Sequence, residues 1–208
     1  MKIPEAPKIH ASLQEPAVNA GELWWGTFFQ KRAAQINRRF RLARIVYWGP
    51  SVKLPMDLFS YIREAALCFT VARFLATIVL SSSAVELILN RDRRTQKHQE
   101  LKRISGWATL NNQNLIVARE QGLPVEVLLS QDENLAHAQP IRFVERRNKV
   151  AHGEIAHMIR NLVDYDPAAE QEALDQLSKA ERFVVDWFNT APDVQDCSIQ
   201  GHRWPDNR

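Results

Sequence analysis

Apolar residues recur at helical spacing along most of the chain, and no alternation of apolar and polar residues extends beyond four positions. In the segment 21–47, Trp24 and Phe28 are four residues apart, which places both on one face of a helix. The segment 56–90 is so dense in apolar residues that we expect one long helix at the centre of a bundle. Further helices are predicted over 95–120, 124–130, 141–151 and 167–190. The pattern therefore predicts an all-α helical bundle with an extra N-terminal helix.

Proline and glycine positions divide this pattern into segments. Three prolines in residues 1–20 predict an extended or loose arm, and Gly49-Pro50 is expected to end the N-terminal helix. Gly153 suits the end of the 141–151 helix, and Pro167 suits the first turn of the last helix, with Asp166 as its N-cap. We predict four parts: the arm 1–20, the N-terminal helix and connector 21–55, the bundle 56–190 and a loose tail 191–208.

Composition excludes several classes of protein. Two cysteines in 208 residues cannot form a disulfide framework or a four-thiolate zinc site. The first residues lack the apolar stretch of a secretory signal. The longest uncharged apolar stretch, 74–85, is shorter than the roughly 20 residues that span a membrane. We therefore expect a cytoplasmic protein without a membrane partner.

The charge is distributed unevenly along the chain. Residues 23–119 contain 16 Lys and Arg against 5 Asp and Glu, whereas residues 164–196 contain 2 against 9. The segment 31–44 has six basic residues and no acid, and the forked guanidinium of Arg suits phosphate. One interpretation is an RNA-binding surface that includes Arg38, Arg39 and Arg41. The other is that this segment pairs with the acidic C-terminal segment, within the chain or across a dimer.

Most signatures of catalytic and cofactor sites are absent from the sequence. It contains no G-x-G-x-x-G, no G-x-x-x-x-G-K-[ST] and no G-x-S-x-G. His152 and His157 superficially suggest a zinc site, but residues five apart do not share a helix face. We therefore predict neither a metal nor another cofactor.

The string 143–153, FVERRNKVAHG, combines residue types that metal-free RNA cleavage requires. His152 could act as a general base towards a 2′-hydroxyl, and Arg147 could stabilise the negative charge on the phosphate. Asn148 lies four residues before His152 and could fix the tautomer of the imidazole. On an ideal helix Arg147 and His152 are about 140° apart. They converge only if the helix ends or distorts near Gly153, or if two copies face each other across a dimer axis.

The string 147–153, RNKVAHG, resembles the R-[polar]-x3-H motif of the HEPN superfamily, and the order of elements over 56–190 is also similar. Members are small helical bundles that usually dimerise with their motifs facing each other, and many are metal-independent endoribonucleases of toxin–antitoxin or defence systems. The resemblance implies that Arg147 and His152 are catalytic, supported by Asn148, and that cleavage leaves 2′,3′-cyclic phosphate ends. The neighbouring Arg146 and Lys149 are expected to bind RNA. An antitoxin or defence-system protein is a further expected partner, beside a second copy of the chain.

Other members of that superfamily are inactive and serve as binding modules, so a non-catalytic module that binds nucleic acid or a partner protein is the alternative function. Glu86, within the apolar segment 74–89, is a candidate supporting residue. A carboxylate buried there would need a cationic partner, and Arg147 is one candidate. The alternative is that Glu86 lies on the exposed side of its helix.

Overall fold

The computed structural model describes residues 20–43, 55–96, 98–137, 139–158 and 167–190. The chain divides into two compact units, 1–35 and 36–208. In the first unit the structure describes the beginning of helix α1, which spans Ala20–Leu42. The predicted arm up to residue 19, the connector 44–54 and the tail 191–208 lie outside the described residues.

The second unit is a predominantly helical bundle, which confirms the predicted all-α class. After α1 follow the helices α2 (Met56–Thr70), α3 (Phe74–Arg91), α4 (Arg93–Gln96), α5 (Asn112–Glu120), α6 (Arg142–Ala151) and α7 (Pro167–Thr190). Two 3-10 turns, Val125–Leu128 and Ala156–Met158, and a two-stranded hairpin of β1 (Arg103–Ile104) and β2 (Trp107–Ala108) complete the described elements.

Helix α3 is the central element of this unit. It packs against α2, α6 and α7, and its buried residues include Ile78, Val85 and Ile88. Among the described helices α3 alone is long and apolar enough to cross a membrane, and 61% of that segment is buried inside the protein. The same length and composition are usual for the core helix of a bundle. The central position predicted for this apolar segment is therefore confirmed.

The prediction of one continuous helix over 56–90 is wrong, because α2 and α3 are separate helices. Helix α2 ends in a Schellman motif: the Arg73 N–H donates to the Cys68 carbonyl (2.7 Å) and the Ala72 N–H to the Phe69 carbonyl (3.0 Å). Ala72 adopts the left-handed conformation with φ 63°. Glycine is the usual residue at this position, and its absence here explains why the sequence pattern shows no break.

The prediction of a helix over 95–120 is also wrong. The segment contains the short α4, the β1–β2 hairpin and α5. Ser105 and Gly106 form the two-residue turn of the hairpin, with φ values of 51° and 82°. Helix α5 begins after Asn111, whose side chain accepts a hydrogen bond from the Asn114 N–H. A Ser-Gly pair and an asparagine cap are known local signals of a turn and a helix start.

The predicted helices over 141–151 and 167–190 are confirmed. Helix α6 ends at Ala151 and is followed by Gly153 with φ 76°, as the glycine indicated. Helix α7 begins at Pro167, while its proposed cap, Asp166, lies outside the described residues. In the segment 124–130 the structure has a 3-10 turn in place of an α-helix.

A buried carboxylate, Asp92, joins the end of α3 to α7. It accepts hydrogen bonds from the Trp187 indole Nε1 (2.7 Å) and from the Arg94 guanidinium Nη2 (2.7 Å). Burial alone raises the pKa of Asp92, but the hydrogen bonds from Arg94 and Trp187 outweigh it and hold the pKa below its usual value. The charged form of Asp92 is therefore stabilised by folding.

We expect Asp92→Ala to lower the free energy of unfolding by roughly 3 kcal/mol, because it leaves the buried Trp187 donor unpaired and Arg94 without its carboxylate. A carboxylate with a lowered pKa in the folded state stabilises the protein above its unfolded-state pKa. This contribution is lost as the pH falls through the folded-state pKa. In urea unfolding, the difference from wild type should be full at pH 7 and should shrink below about pH 4.

The control is Asp132→Ala. Asp132 pairs with Arg142 at the surface, and both side chains are more than half exposed. Its loss should cost at most about 1 kcal/mol. Equal unfolding midpoints for Asp92→Ala and wild type at pH 7 would contradict the stabilising role of Asp92.

Candidate active site

Helix α6 places the motif residues at the surface of the bundle. Phe143 and Val144, in its first turn, are buried in the main hydrophobic core. The buried Gln176 of α7 donates a hydrogen bond to the Phe143 carbonyl (2.9 Å). The first turn of α6 is therefore anchored in the core, and the residues that follow it are partly or fully exposed.

Arg147 is held by two oxygen atoms from different parts of the chain. Its Nη2 lies 2.9 Å from Glu86 Oε1, and its Nη1 lies 3.2 Å from Asn148 Oδ1. The exposed fraction is 30% for the Arg147 side chain and 14% for that of Glu86. The predicted pairing of Glu86 with Arg147 is thus present, and the alternative of an exposed Glu86 is wrong.

Glu86 is itself fixed by the backbone. Its Oε1 also accepts a hydrogen bond from the Leu110 N–H (2.8 Å), just before α5. A backbone N–H leaves no residue-type signal in the sequence, so the contact with Leu110 could not be predicted. A guanidinium has five N–H donors, so the contacts with Glu86 and Asn148 leave donors for a bound anion. Glu86 and Asn148 therefore orient Arg147 without using all its donors.

His152 caps the C-terminus of α6 and is exposed. Helix α6 ends in a second Schellman motif: the Glu154 N–H donates to the Lys149 carbonyl (2.8 Å) and the Gly153 N–H to the Val150 carbonyl (3.2 Å). The helix therefore ends next to His152, as predicted. Within the described ranges, no hydrogen bond reaches the imidazole, either from Arg147 or from another residue.

The expected contact between the Asn148 amide and the imidazole is not formed in the described part of the chain. Asn148 Oδ1 accepts from Arg147, and the link to His152 is through the backbone, since the His152 N–H donates to the Asn148 carbonyl (2.9 Å). In the structure Asn148 positions Arg147.

Two residues that we expected to bind RNA are engaged with carboxylates. Arg146 pairs with Asp175 of α7, and Lys149 Nζ lies 2.8 Å from Glu145 Oε1 one turn earlier on α6. The hydrogen bond to Glu145 raises the pKa of Lys149 above its usual value. Lys149 remains 41% exposed, whereas Arg146 is 17% exposed. Lys149 is therefore the more accessible of the two cations.

Part of the predicted RNA-binding surface on α1 is also engaged with a carboxylate. Arg39 is buried: its Nε donates to Glu170 Oε2 (2.9 Å) and its guanidinium lies 5.3 Å from the centre of the Phe74 ring. Arg38, which is more exposed, pairs with the same Glu170. The alternative interpretation, pairing with the acidic C-terminal segment within the chain, is thus confirmed for these two. Arg41 is exposed.

A shallow depression of about 160 Å³ lies beside the motif. Both acidic and basic side chains line it, and the motif residues Arg147 and His152 do not. Among the described residues, no group of three or more His, Cys, Asp or Glu side chains is arranged to hold a metal ion. The lining residues are Arg142, Glu145, Arg146, Lys149, Met158 and Glu172.

Comparisons with protein-family models, with curated proteins and with solved structures find no match. The functional interpretation of the site therefore depends on its own residues and geometry.

Proposed function

We propose that the protein is a metal-independent endoribonuclease of the HEPN type. The observation that carries this proposal is the oriented Arg147, held by Glu86 and Asn148, five residues before an exposed His152 at the end of the same helix. Active sites commonly hold an arginine in place through neighbouring carboxylate and amide groups, so that its remaining donors can stabilise developing charge. The histidine, free of such contacts among described residues, is available for proton transfer.

In the proposed reaction, His152 takes the proton from a ribose 2′-hydroxyl. The 2′-oxygen then forms a bond to the adjacent phosphorus, and the bond from phosphorus to the 5′-oxygen of the next nucleotide breaks. Arg147 stabilises the negative charge on the pentavalent phosphate during this exchange. The departing 5′-oxygen gains a proton from water, and the protonated His152 releases its proton to water, so the products are a 2′,3′-cyclic phosphate and a 5′-hydroxyl. DNA lacks the attacking hydroxyl and is not a substrate.

We further propose that the active form is a homodimer. Arg147 is hydrogen-bonded to Glu86 and Asn148, and no hydrogen bond between described residues links it to His152, although α6 ends between the two. A second copy of the chain would bring further groups to a single phosphate. Two motifs facing each other would supply Arg147 from one chain and His152 from the other. Light scattering at micromolar concentration should give about twice the chain mass of 23.9 kDa. A species of 23.9 kDa alone would contradict the dimer.

The biological setting that fits this activity is a cytoplasmic toxin or a defence effector, controlled by an antitoxin or another defence-system protein. Uncontrolled RNA cleavage harms the cell that makes the enzyme. The wild-type gene should therefore be recovered poorly in expression, and the His152→Ala variant should be recovered normally.

A non-catalytic helical module is the second candidate. It is favoured by the ion pairs of Arg38, Arg146 and Lys149 with carboxylates, which reduce the positive charge available to a nucleic acid. Such a module would bind a nucleic acid or a partner protein without cleaving it, and the reduced positive charge favours the protein.

The test of the proposed function is to incubate the purified protein in EDTA with an RNA and a DNA of the same sequence. The proposal predicts cleavage of the RNA alone. Cleavage that requires Mg²⁺, or that acts equally on DNA, would contradict it. Intact RNA across many sequences would favour the non-catalytic module.

A further inference from the structure

The β1–β2 hairpin presents two large apolar side chains to solvent. Ile104 and Trp107 lie directly opposite each other on the two strands, and their exposed fractions are 68% and 47%. The turn between them uses Ser105 and Gly106, both with positive φ, as a tight two-residue hairpin requires. Neither residue belongs to a hydrophobic core cluster of the described residues.

The base of the hairpin is fixed by two buried asparagines. Asn114 accepts a hydrogen bond from the Lys102 N–H (2.7 Å) and donates one to the Lys102 carbonyl (2.8 Å). Asn90 does the same for Ala108, at 2.8 Å and 2.9 Å. Each asparagine side chain thus pairs with both the backbone N–H and the backbone carbonyl of one residue. That residue is Lys102 just before the hairpin for Asn114, and Ala108 at its end for Asn90. The base of the hairpin is therefore held to the bundle, and the side chains at its tip are exposed.

The charge around the tip is positive. In the segment 97–108 the sequence has three Lys and Arg and one acid, Glu100. Lys102 is exposed, and the Arg103 guanidinium donates to the backbone carbonyls of Gly106 (3.2 Å) and Gln96. In the described ranges neither Lys102 nor Arg103 pairs with a carboxylate. Their positive charges therefore remain available, unlike those of Arg38 and Arg146.

We propose that the hairpin tip binds single-stranded RNA, with one base stacked on Trp107 and phosphates near Lys102 and Arg103. This inference rests on the proposed function for its substrate class and adds a site outside the motif. A rigid aromatic ring flanked by cations is the combination with which proteins bind unpaired nucleotides. In a duplex the faces of the bases are covered by their neighbours, so the site discriminates against double-stranded RNA.

The experiment measures binding of a fluorescently labelled 12-nucleotide single-stranded RNA by anisotropy, in a His152→Ala background that keeps the RNA intact. Trp107→Leu should weaken binding about 5- to 150-fold, the range that corresponds to roughly 1–3 kcal/mol for one stacked base. Trp107→Phe, which retains an aromatic ring, should recover most of this loss. Lys102→Ala should reduce the salt dependence of binding by about one phosphate contact.

Tyr61→Leu is the matched control, because Tyr61 is an aromatic residue of α2 that is 37% exposed. In the His152→Ala background, the Tyr61→Leu variant should bind RNA as tightly as the background protein does. Circular dichroism verifies that each variant is folded. Unchanged binding by folded Trp107→Leu, or equal losses for the Leu and Phe variants, would overturn the inference.

The two proposals fail in different ways. If the wild type cleaves RNA while Trp107→Leu binds it normally, the hairpin site is wrong and the endoribonuclease proposal stands. If the wild type cleaves nothing but binding depends on the Trp107 ring, the hairpin site stands and the catalytic proposal falls. If the protein binds no RNA in this assay, the hairpin site is overturned.

Discussion

His152→Ala is expected to reduce the rate of RNA cleavage about 10²–10⁴-fold, the usual contribution of general acid–base catalysis. His152 is exposed and makes no described side-chain contact, so its removal should leave the fold and the stability unchanged. The rate is measured under single-turnover conditions with excess protein, so that it reports the chemical step. Urea unfolding of the same preparations shows whether any loss of rate reflects a loss of folded protein.

The control for this substitution is His137→Ala. His137 is an exposed histidine in the loop between the 3-10 turn at Val125–Leu128 and α6, and it lies outside the motif string 147–153. The His137→Ala variant should cleave RNA at the wild-type rate. Equal rates for His152→Ala and wild type would exclude His152 as the general base.

Arg147→Lys is expected to reduce the cleavage rate about 10²–10³-fold, as does the loss of an oriented donor that stabilises a transition state. Lysine keeps the positive charge but lacks the planar fork that lets Arg147 contact Glu86, Asn148 and an anion together. A wild-type rate in Arg147→Lys would show that a point charge suffices and would contradict the proposed role of the fork. The double variant with His152→Ala should lose less than the product of the two single effects, because the two residues act as a unit.

Two further variants separate chemistry from structure at Arg147. Arg119→Lys changes an exposed arginine that pairs with Glu126 at the surface, and it should leave the rate unchanged. Glu86→Gln keeps the shape but removes the charge that orients Arg147. Because Glu86 acts through Arg147, its substitution should lower the rate less than Arg147→Lys does. Rates are compared per folded molecule, since the Glu86–Arg147 pair also links α3 to α6.

The helix bearing the motif could be predicted from the sequence because its signals are local. The start after Pro140, the apolar residues at Phe143 and Val144, and Gly153 at the end all lie within about a dozen residues. The break between α2 and α3 could not be predicted, because Ala72 occupies the left-handed position that glycine usually marks. At this break the packing of the helices determines where the chain turns, and the sequence has no glycine or proline there to mark the turn.

The hairpin at 103–108 was missed for a different reason. Its strands have two residues each, so no alternating pattern can develop, and the sequence pattern predicts a helix over 95–120, across the Ser105-Gly106 turn. The hydrogen bonds that hold it come from Asn90 and Asn114, and Asn90 lies 18 residues before its partner. Interactions at that separation follow from the tertiary fold.

The distribution of charge along the sequence indicated which residues form ion pairs, but it did not indicate how exposed those residues are to solvent. The basic segment at the end of α1 and the acidic α7 suggested pairing, and Glu170 does hold both Arg38 and Arg39. Nothing in the sequence showed that Arg39 packs on Phe74 and is buried while Arg41 is exposed. Likewise, the free-energy cost of burying a charge made Arg147 a candidate partner of Glu86. The second contact of Glu86, with the Leu110 backbone N–H, could not be predicted.

The central claim is that the protein cleaves RNA through the neighbouring 2′-hydroxyl, and the ends of the products test it most directly. The substrate is a set of DNA oligonucleotides that each contain one ribonucleotide, at different positions, incubated with the protein in EDTA. The account predicts cleavage only on the 3′ side of the ribonucleotide, and mass spectrometry should find a 2′,3′-cyclic phosphate there and a 5′-hydroxyl on the other fragment. His152→Ala should form both fragments about 10²–10⁴-fold more slowly. Cleavage at a deoxyribonucleotide, or fragments that carry a 5′-phosphate, would contradict the account.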